Sequence, residues 1–260
     1  MPDLRLDDGE LEERIETITS FIAERCEAAG VNGVVLGLSG GVDSATTTGL
    51  AARALGPDRV RPLALPAAPT APESLEYAGA VADAFGLELE TIDVEPVVEE
   101  VRSIHPRGVD RKPLGNVRAR VRAVYWYLVA NQEDRLVLGG GNRTEWLVGY
   151  FTKYGDIAVD ILPLGNLYKT QVRQVARHIG VPEAVLERAP TAELWEDQTD
   201  EGELGIAYDT LDGILSLRVD EELGVAETAE ALHVDETLVE RVDSLRTAST
   251  HKRRPPATPP

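Results

Sequence analysis

Hydrophobic residues recur along this chain in two rhythms. Across residues 10–29, Leu11, Ile15, Ile18 and Ile22 stand three and four positions apart, the spacing of one helix face. Gly30 marks the stop. Val34-Val35-Leu36-Gly37-Leu38 is a short apolar run, suited to a strand buried on both faces. A glycine-rich turn follows, then an Ala/Thr/Leu helix to about Leu55. Val60 to Leu65 and Leu87 to Val94 read as the second and third strands. Between them lie a proline-rich loop (Pro66, Pro69, Pro72) and a helix from about Glu73 to Phe85. Arg118 to Asn131 reads as helix, and Leu136 to Leu138 as a fourth strand closed by Gly139-Gly140-Gly141.

This alternation predicts an α/β fold: a mostly parallel, twisted sheet with helices on both faces. The crossovers should be right-handed. Ligands on such sheets sit beyond the carboxyl ends of the strands, so the loops after Leu38, Leu65 and Leu138 should line the site. The C-terminal part is more helical, with helices expected at 170–179, 183–188, 204–219, 226–232 and 236–245. The polar stretch from Trp195 to Glu203 suits a mobile lid and a plain solvated connection equally well. Residues 252–260 are rich in proline and are expected to hold no helix. A single domain over 1–260 with a flexible tail at 254–260 is the expected organisation.

Composition narrows the choice. A chain of 260 residues can bury roughly 70–75% of its unfolded surface. No apolar run is long enough to span a membrane. The acidic N-terminal stretch has no apolar core of a secretory signal. Cys26 is the one cysteine, which excludes a disulfide framework, a redox pair and a cysteine-based zinc site; the expected compartment is the cytoplasm. A net charge of −19 argues against nucleic acid as a partner. Among the basic residues 22 are Arg and only 4 are Lys. Many carboxylates and few lysines suit a protein kept soluble in high salt, and a halophilic source is expected.

The sharpest local signal is Gly37-Leu38-Ser39-Gly40-Gly41-Val42-Asp43-Ser44. It leaves a buried strand and opens a helix. Glycines let the backbone turn and bare its N–H groups, hydroxyls add donors, and the helix N-terminus favours an anion. Asp43 makes sense there as a Mg²⁺ ligand, since Mg²⁺ takes one or two carboxylates plus phosphate oxygens. The Lys of a Walker A loop is missing. The loop resembles instead the pyrophosphate loop of the N-type ATP pyrophosphatases, which implies an adenine nucleotide alpha hydrolase-like fold.

Further blocks resemble the NAD synthetase family: Asn116 to Arg120, Gly141 to Glu145, Gly149 to Asp156, Asp160 to Leu164, Pro190 to Leu194, Leu204 to Asp209 and His251 to Arg253. The resemblance implies amidation of deamido-NAD to NAD with ATP and ammonia, through an adenylated intermediate, by a homodimer. It implies that Gly37 to Ser44, Gly140, Lys169 and Thr191 bind ATP. It implies that Asp43 and Glu145 hold Mg²⁺, and that Arg120, Lys153, Asp160, His251 and Lys252 bind deamido-NAD. Asp156 is the candidate for handling the nucleophile, because a carboxylate can attract ammonium and take its proton. Arg122, two residues beyond Arg120, is expected at the surface.

Three positions depart from the family pattern. Gly140 stands where a Thr is usual, and Ile157-Ala158 where two glycines are common. A glutaminase would need a nucleophilic Cys with partners; Cys26 lies on the packing side of the first helix, so ammonia is the expected nitrogen source and a halophilic archaeon the expected origin. Other readings are a thiolating or GMP-forming ATP pyrophosphatase and a non-catalytic nucleotide-binding paralogue.

Overall fold

A computed structural model describes residues 4–195 and 198–259. Four strands form one all-parallel sheet in the order β3-β2-β1-β4: β1 (Gly33–Gly37), β2 (Val60–Ala64), β3 (Glu90–Thr91) and β4 (Arg135–Leu138). Side chains alternate across the sheet, as a pleat requires. Val34 and Leu36 pack into one layer with α1 (Asp8–Ala29), α2 (Val42–Leu55) and α7 (Lys169–His178). Val35 and Val137 face the other layer, which holds α4 (Glu95–Ser103) and α5 (Arg111–Glu133). Helices therefore cover both faces, as the apolar runs predict.

Local chemistry sets the element ends. Asp7 caps α1 by accepting from the Glu10 N–H (2.9 Å), while Glu10 reaches back to the Asp7 N–H (2.9 Å). Gly30 closes the helix in the left-handed region at φ 68°. Ile15, Ile18, Ile22 and Cys26 are buried along its inner face.

The structure corrects several expectations. The third strand shrinks from Leu87–Val94 to Glu90–Thr91, because Leu87 is drawn back to the end of α3 (Pro72–Ala84), its N–H donating to Ala82. The sequence reading has no helix at α4. The helix α5 starts at Arg111, seven residues before the expected 118. The expected helix 204–219 is two: α9 (Asp200–Leu204) stops at Gly205 with φ 65°, and α10 (Tyr208–Leu215) runs into a π turn at Ser216–Asp220. Part of the polar 195–203 stretch is thus the helix α9, capped by the Thr199 hydroxyl on the Gly202 N–H (3.2 Å); residues 196–197 lie outside the described residues. The remaining helices α6 (Arg143–Val148), α8 (Glu183–Leu186), α11 (Val225–Leu232) and α12 (Glu236–Ala248) complete the chain. A second core of Tyr208, Leu211, Ile214, Val239 and Val242 unites α10 and α12.

Candidate active site

The loops at the carboxyl ends of β1, β2 and β4 open onto a cleft of about 680 Å³, within the ordinary range for ligand sites. Its floor is the turn after β1. The Ser39 N–H donates to Ser44 Oγ (3.2 Å), and the Ser44 hydroxyl donates to the Gly41 carbonyl (2.9 Å). Gly40 has φ 80°, and a Cβ there would lie 2.4 Å from the Ser74 carbonyl oxygen. Only glycine fits, so the turn is set by α3 behind it. Leu38, Ser39, Gly41, Val42, Asp43, Ser44 and Gly37 all line the cleft, as does Gly140. A Cβ on Gly140 would make an ordinary contact of 3.5 Å with the Ser44 nitrogen, so crowding does not explain the glycine there.

Beside this floor lies a buried charge cluster. Lys169, the first residue of α7, is almost fully buried. Its Nζ donates to Asp43 and to Glu145 Oε1 (3.3 Å), and sits 5.0 Å from the Tyr208 ring centre. Asn142 joins the group: its Nδ2 donates to Asp43 Oδ1 (2.9 Å), and its Oδ1 caps α6 by accepting from the Glu145 N–H (3.0 Å). Asp200 is buried nearby, accepting from the Tyr150 and Tyr208 hydroxyls (both 3.1 Å). Burial pushes the Glu145 carboxyl up to about 8, with the charges of Asp43 and Asp200 outweighing part of the relief from Lys169. For Lys169, burial works against the charge, but Asp43 and Glu145 hold the pKa above its ordinary value.

The three carboxyl groups around one ammonium are crowded enough to hold the Glu145 pKa up at about 8, and a divalent cation would relieve that crowding. Asp43 and Glu145 are the pair that both face the cleft and touch the phosphate loop's side of it. Among the described residues no group of three or more His, Cys, Asp or Glu is placed to hold a metal ion by itself.

At the other end of the cleft, Asp156 Oδ1 accepts from the Thr152 N–H (2.8 Å). The carboxyl is open to cleft water, yet crowded by protein, and that desolvation raises its pKa. Lys252 lies beside it. Its Nζ donates to the Gly149 and Phe151 carbonyls (2.8 and 2.7 Å) and sits 5.2 Å from the Phe151 ring centre. The C-terminal segment is therefore already folded against the cleft. Thr191 also lines the cleft, its hydroxyl donating to the Gln198 carbonyl (2.6 Å).

Five of the expected residues do not line this cleft: Gly40, turned toward α3, and Arg120, Lys153, Asp160 and His251. Arg120 is exposed and donates to the Lys153 carbonyl (3.2 Å). Lys153 Nζ donates to the His251 carbonyl (2.7 Å), and His251 is exposed. These three form one string outside it. Asp160 accepts from the Tyr127 hydroxyl (3.0 Å) and the Val137 N–H (2.8 Å), at the edge of β4. Burial and Asp160 push the Tyr127 pKa up to about 12.

The structure also brings in residues outside the sequence reading. Arg122, expected at the surface, lines the cleft, because α5 presents Lys112, Asn116, Ala119, Arg122 and Trp126 as one stripe. Their spacing of four, three, three and four was readable as a helix face. Asp212 is completely buried and accepts from the Thr144 hydroxyl (2.6 Å) and the Thr170 N–H (2.8 Å), while Thr144 Oγ1 accepts from the Lys169 N–H (2.9 Å). It ties α10 to the helix starts that carry Glu145 and Lys169. Its lone carboxylate within Leu211-Asp212-Gly213-Ile214-Leu215 was the available signal. The lysines tell the same story. Of the four in the chain, Lys112, Lys169 and Lys252 line the cleft, and Lys153 bonds to the residue before Lys252.

Comparison with known proteins places the chain in a family. Residues 14–256 match the family NAD synthase. The NH(3)-dependent NAD(+) synthetase of Halobacterium salinarum is 48% identical over 99% of this chain and 96% of its own. The solved structure of NMN synthetase from Francisella tularensis superposes with a TM-score of 0.85 at 33% identity, covering 96% of this chain and 98% of that one. NH3-dependent NAD synthetase from Campylobacter jejuni, solved with a nitrate ion, gives 0.82 at 26% identity, over 98% of this chain and 100% of that one. A match over so much of the sequence, with a relative almost half identical along its length, makes this chain a member of the NAD synthase family.

Proposed function

We propose that the chain is a ligase that makes NAD from deamido-NAD, ATP and ammonia. The observation that carries this reading is the phosphate loop at Ser39–Ser44 facing the Asp43–Glu145–Lys169 cluster in a single cleft. A nicotinate carboxylate is a poor electrophile. Its oxygen attacks the α-phosphorus of ATP, pyrophosphate leaves, and ammonia then attacks the acyl carbon and expels AMP. The chain's work is positioning and charge neutralisation.

Each group has a part. The bared N–H groups and the hydroxyls of Ser39 and Ser44 cradle the departing pyrophosphate, with Gly37, Leu38, Gly40, Gly41, Val42, Gly140 and Thr191 completing the ATP site. Lys169 leaves its carboxylate partners for the phosphates when ATP enters. Asp43 and Glu145 hold Mg²⁺, whose contribution when bound is to neutralise phosphate charge. Asp156 attracts ammonium and accepts its proton, at the end of the cleft where burial has raised its basicity. Arg120, Lys153, Asp160, His251 and Lys252 bind deamido-NAD, with the string of Arg120, Lys153 and His251 outside the cleft receiving the far end of the dinucleotide.

Several finer readings accompany this one. Cys26 is completely buried, and burial raises its thiol pKa, which supports ammonia over glutamine as the nitrogen source. Val124 and Leu128 on α5, Val97 and Val101 on α4 and Ile104 just past its end are exposed, which supports a homodimer. The −19 charge supports a halophilic origin. No helix among the described residues is long and apolar enough to cross a membrane, in keeping with work in the cytoplasm.

The test is an assay with ATP, with and without Mg²⁺, ammonium or glutamine, and deamido-NAD or nicotinate mononucleotide as acceptor. NAD and pyrophosphate should form with ammonium, deamido-NAD and Mg²⁺ together. Preference for the mononucleotide would align the chain with the Francisella enzyme's named activity instead. ATP binding without any acceptor-dependent pyrophosphate release would indicate a silent nucleotide binder.

A further inference from the structure

Arg122 sits in the cleft wall with its guanidinium mostly unused. Its Nε donates to the Leu65 carbonyl (2.8 Å), at the carboxyl end of β2. Among the described residues it has no other hydrogen bond and no carboxylate in ion-pair contact. The charges nearest in effect are already engaged. Glu193 accepts from Arg188 (2.6 Å), Glu95 pairs with Arg118 (3.2 Å), and Asp156 accepts from the Thr152 N–H. Structural arginines in this chain behave differently. Arg118 bonds to Glu95 and to the Leu194 carbonyl (3.0 Å), and Arg253 fills its donors with the Trp146, Leu147 and Arg246 carbonyls.

A cation half-buried in the cleft wall with no carboxylate partner is disfavoured until an anion meets it. Burial already pulls the pKa of this guanidinium below its ordinary value. Holding one carbonyl does not require a charge; a neutral donor would serve. The Nε bond fixes the plane of the group and leaves its Nη edge for the cleft, the fork geometry that matches phosphate and carboxylate oxygens.

We propose that Arg122 is a further substrate-binding residue, whose Nη edge takes an anionic oxygen group of a bound nucleotide on the cleft wall. The inference rests on the nucleotide-binding reading of this cleft. The anion is a phosphate of ATP or a phosphate or carboxylate of the acceptor dinucleotide, and separate binding measurements distinguish them.

The experiment is equilibrium binding of ATP, deamido-NAD and adenosine, each alone, to the whole chain and to Arg122→Gln and Arg122→Lys. Gln keeps a donor for Leu65 and loses the charge; Lys keeps the charge. Arg122→Gln should weaken ATP or deamido-NAD by about tenfold or more, with Arg122→Lys between it and the natural chain, and adenosine unchanged. A loss confined to ATP assigns the anion to ATP; a loss confined to deamido-NAD assigns it to the acceptor. Arg122→His covers the case in which Gln does not fold. Relative to the natural chain, its anion binding should be present below about pH 6 and lost above about pH 7. Unchanged binding of both nucleotides, an equal loss for uncharged adenosine, or a pH-independent His variant would overturn the assignment. Turnover by the natural chain tests the function separately, so either can fail alone.

Discussion

Asp156 and Glu145 are both carboxylates with raised pKa, but their settings give them different work. Glu145 is locked against Lys169 and Asn142 beside the phosphate loop. Asp156 accepts from the Thr152 N–H and is exposed where it lines the cleft. Asp156→Asn retains the acceptor for Thr152 and removes the base. It should lower kcat about a hundredfold with the KM for ATP little changed, measured with ammonium in excess. Its stability has a sign as well. The raised pKa means the folded chain holds a proton that the unfolded chain releases. The group's contribution to stability therefore falls as pH rises from the ordinary carboxylate range through the raised value. Relative to the natural chain, Asp156→Asn should gain stability over that interval and show no gain below it, as chemical denaturation across pH would reveal.

Among the elements, α6 and α7 matter most, because their first turns deliver Glu145 and Lys169. Asp212 on α10 holds both starts through Thr144 and Thr170. Asp212→Ala leaves a buried hydroxyl and a part-buried N–H without that acceptor, at a cost of about 3 kcal/mol; Asp212→Asn keeps one acceptor of the two and should recover only part of it. Denaturant midpoints compare the two.

The same elements show what a sequence reader can reach. The sheet, its parallel sense and the phosphate loop were legible, because buried strands are unbroken apolar runs and the loop has fixed chemistry. The cluster of Asp43, Glu145 and Lys169 was reachable through the family motifs. Separation from Arg120 alone puts Arg122 at the surface, whereas the stripe it shares with Lys112, Asn116, Ala119 and Trp126 puts it in the cleft wall. The third strand was overdrawn because apolar Leu87 and Val94 serve helix ends and the core, not the ladder. The break at Gly205 was invisible to hydrophobic spacing alone; it follows from a left-handed cap.

For the molecule as a whole, charge and lysine usage describe one adaptation. Nineteen surplus negative charges repel one another in dilute buffer, and salt screens them over about 10 Å at 0.1 M. The melting temperature should therefore rise between low and molar KCl; a flat profile would remove the halophilic reading. Lysine has nearly vanished except around the cleft, which suggests that the few retained are kept for anions rather than solubility. The exposed Val124 and Leu128 lie one turn apart on α5. If they form the dimer seam, Val124→Asp with Leu128→Asp should convert a dimer to a monomer in sedimentation, with the fold intact by circular dichroism.

The central claim is that this cleft adenylates a carboxylate before amidating it. The most direct test supplies deamido-NAD carrying heavy oxygen in its nicotinate carboxylate, with ATP, Mg²⁺ and ammonium, and examines the products by mass spectrometry. The account predicts one labelled oxygen transferred to AMP and unlabelled pyrophosphate. Unlabelled AMP, or ADP and phosphate in its place, would contradict it.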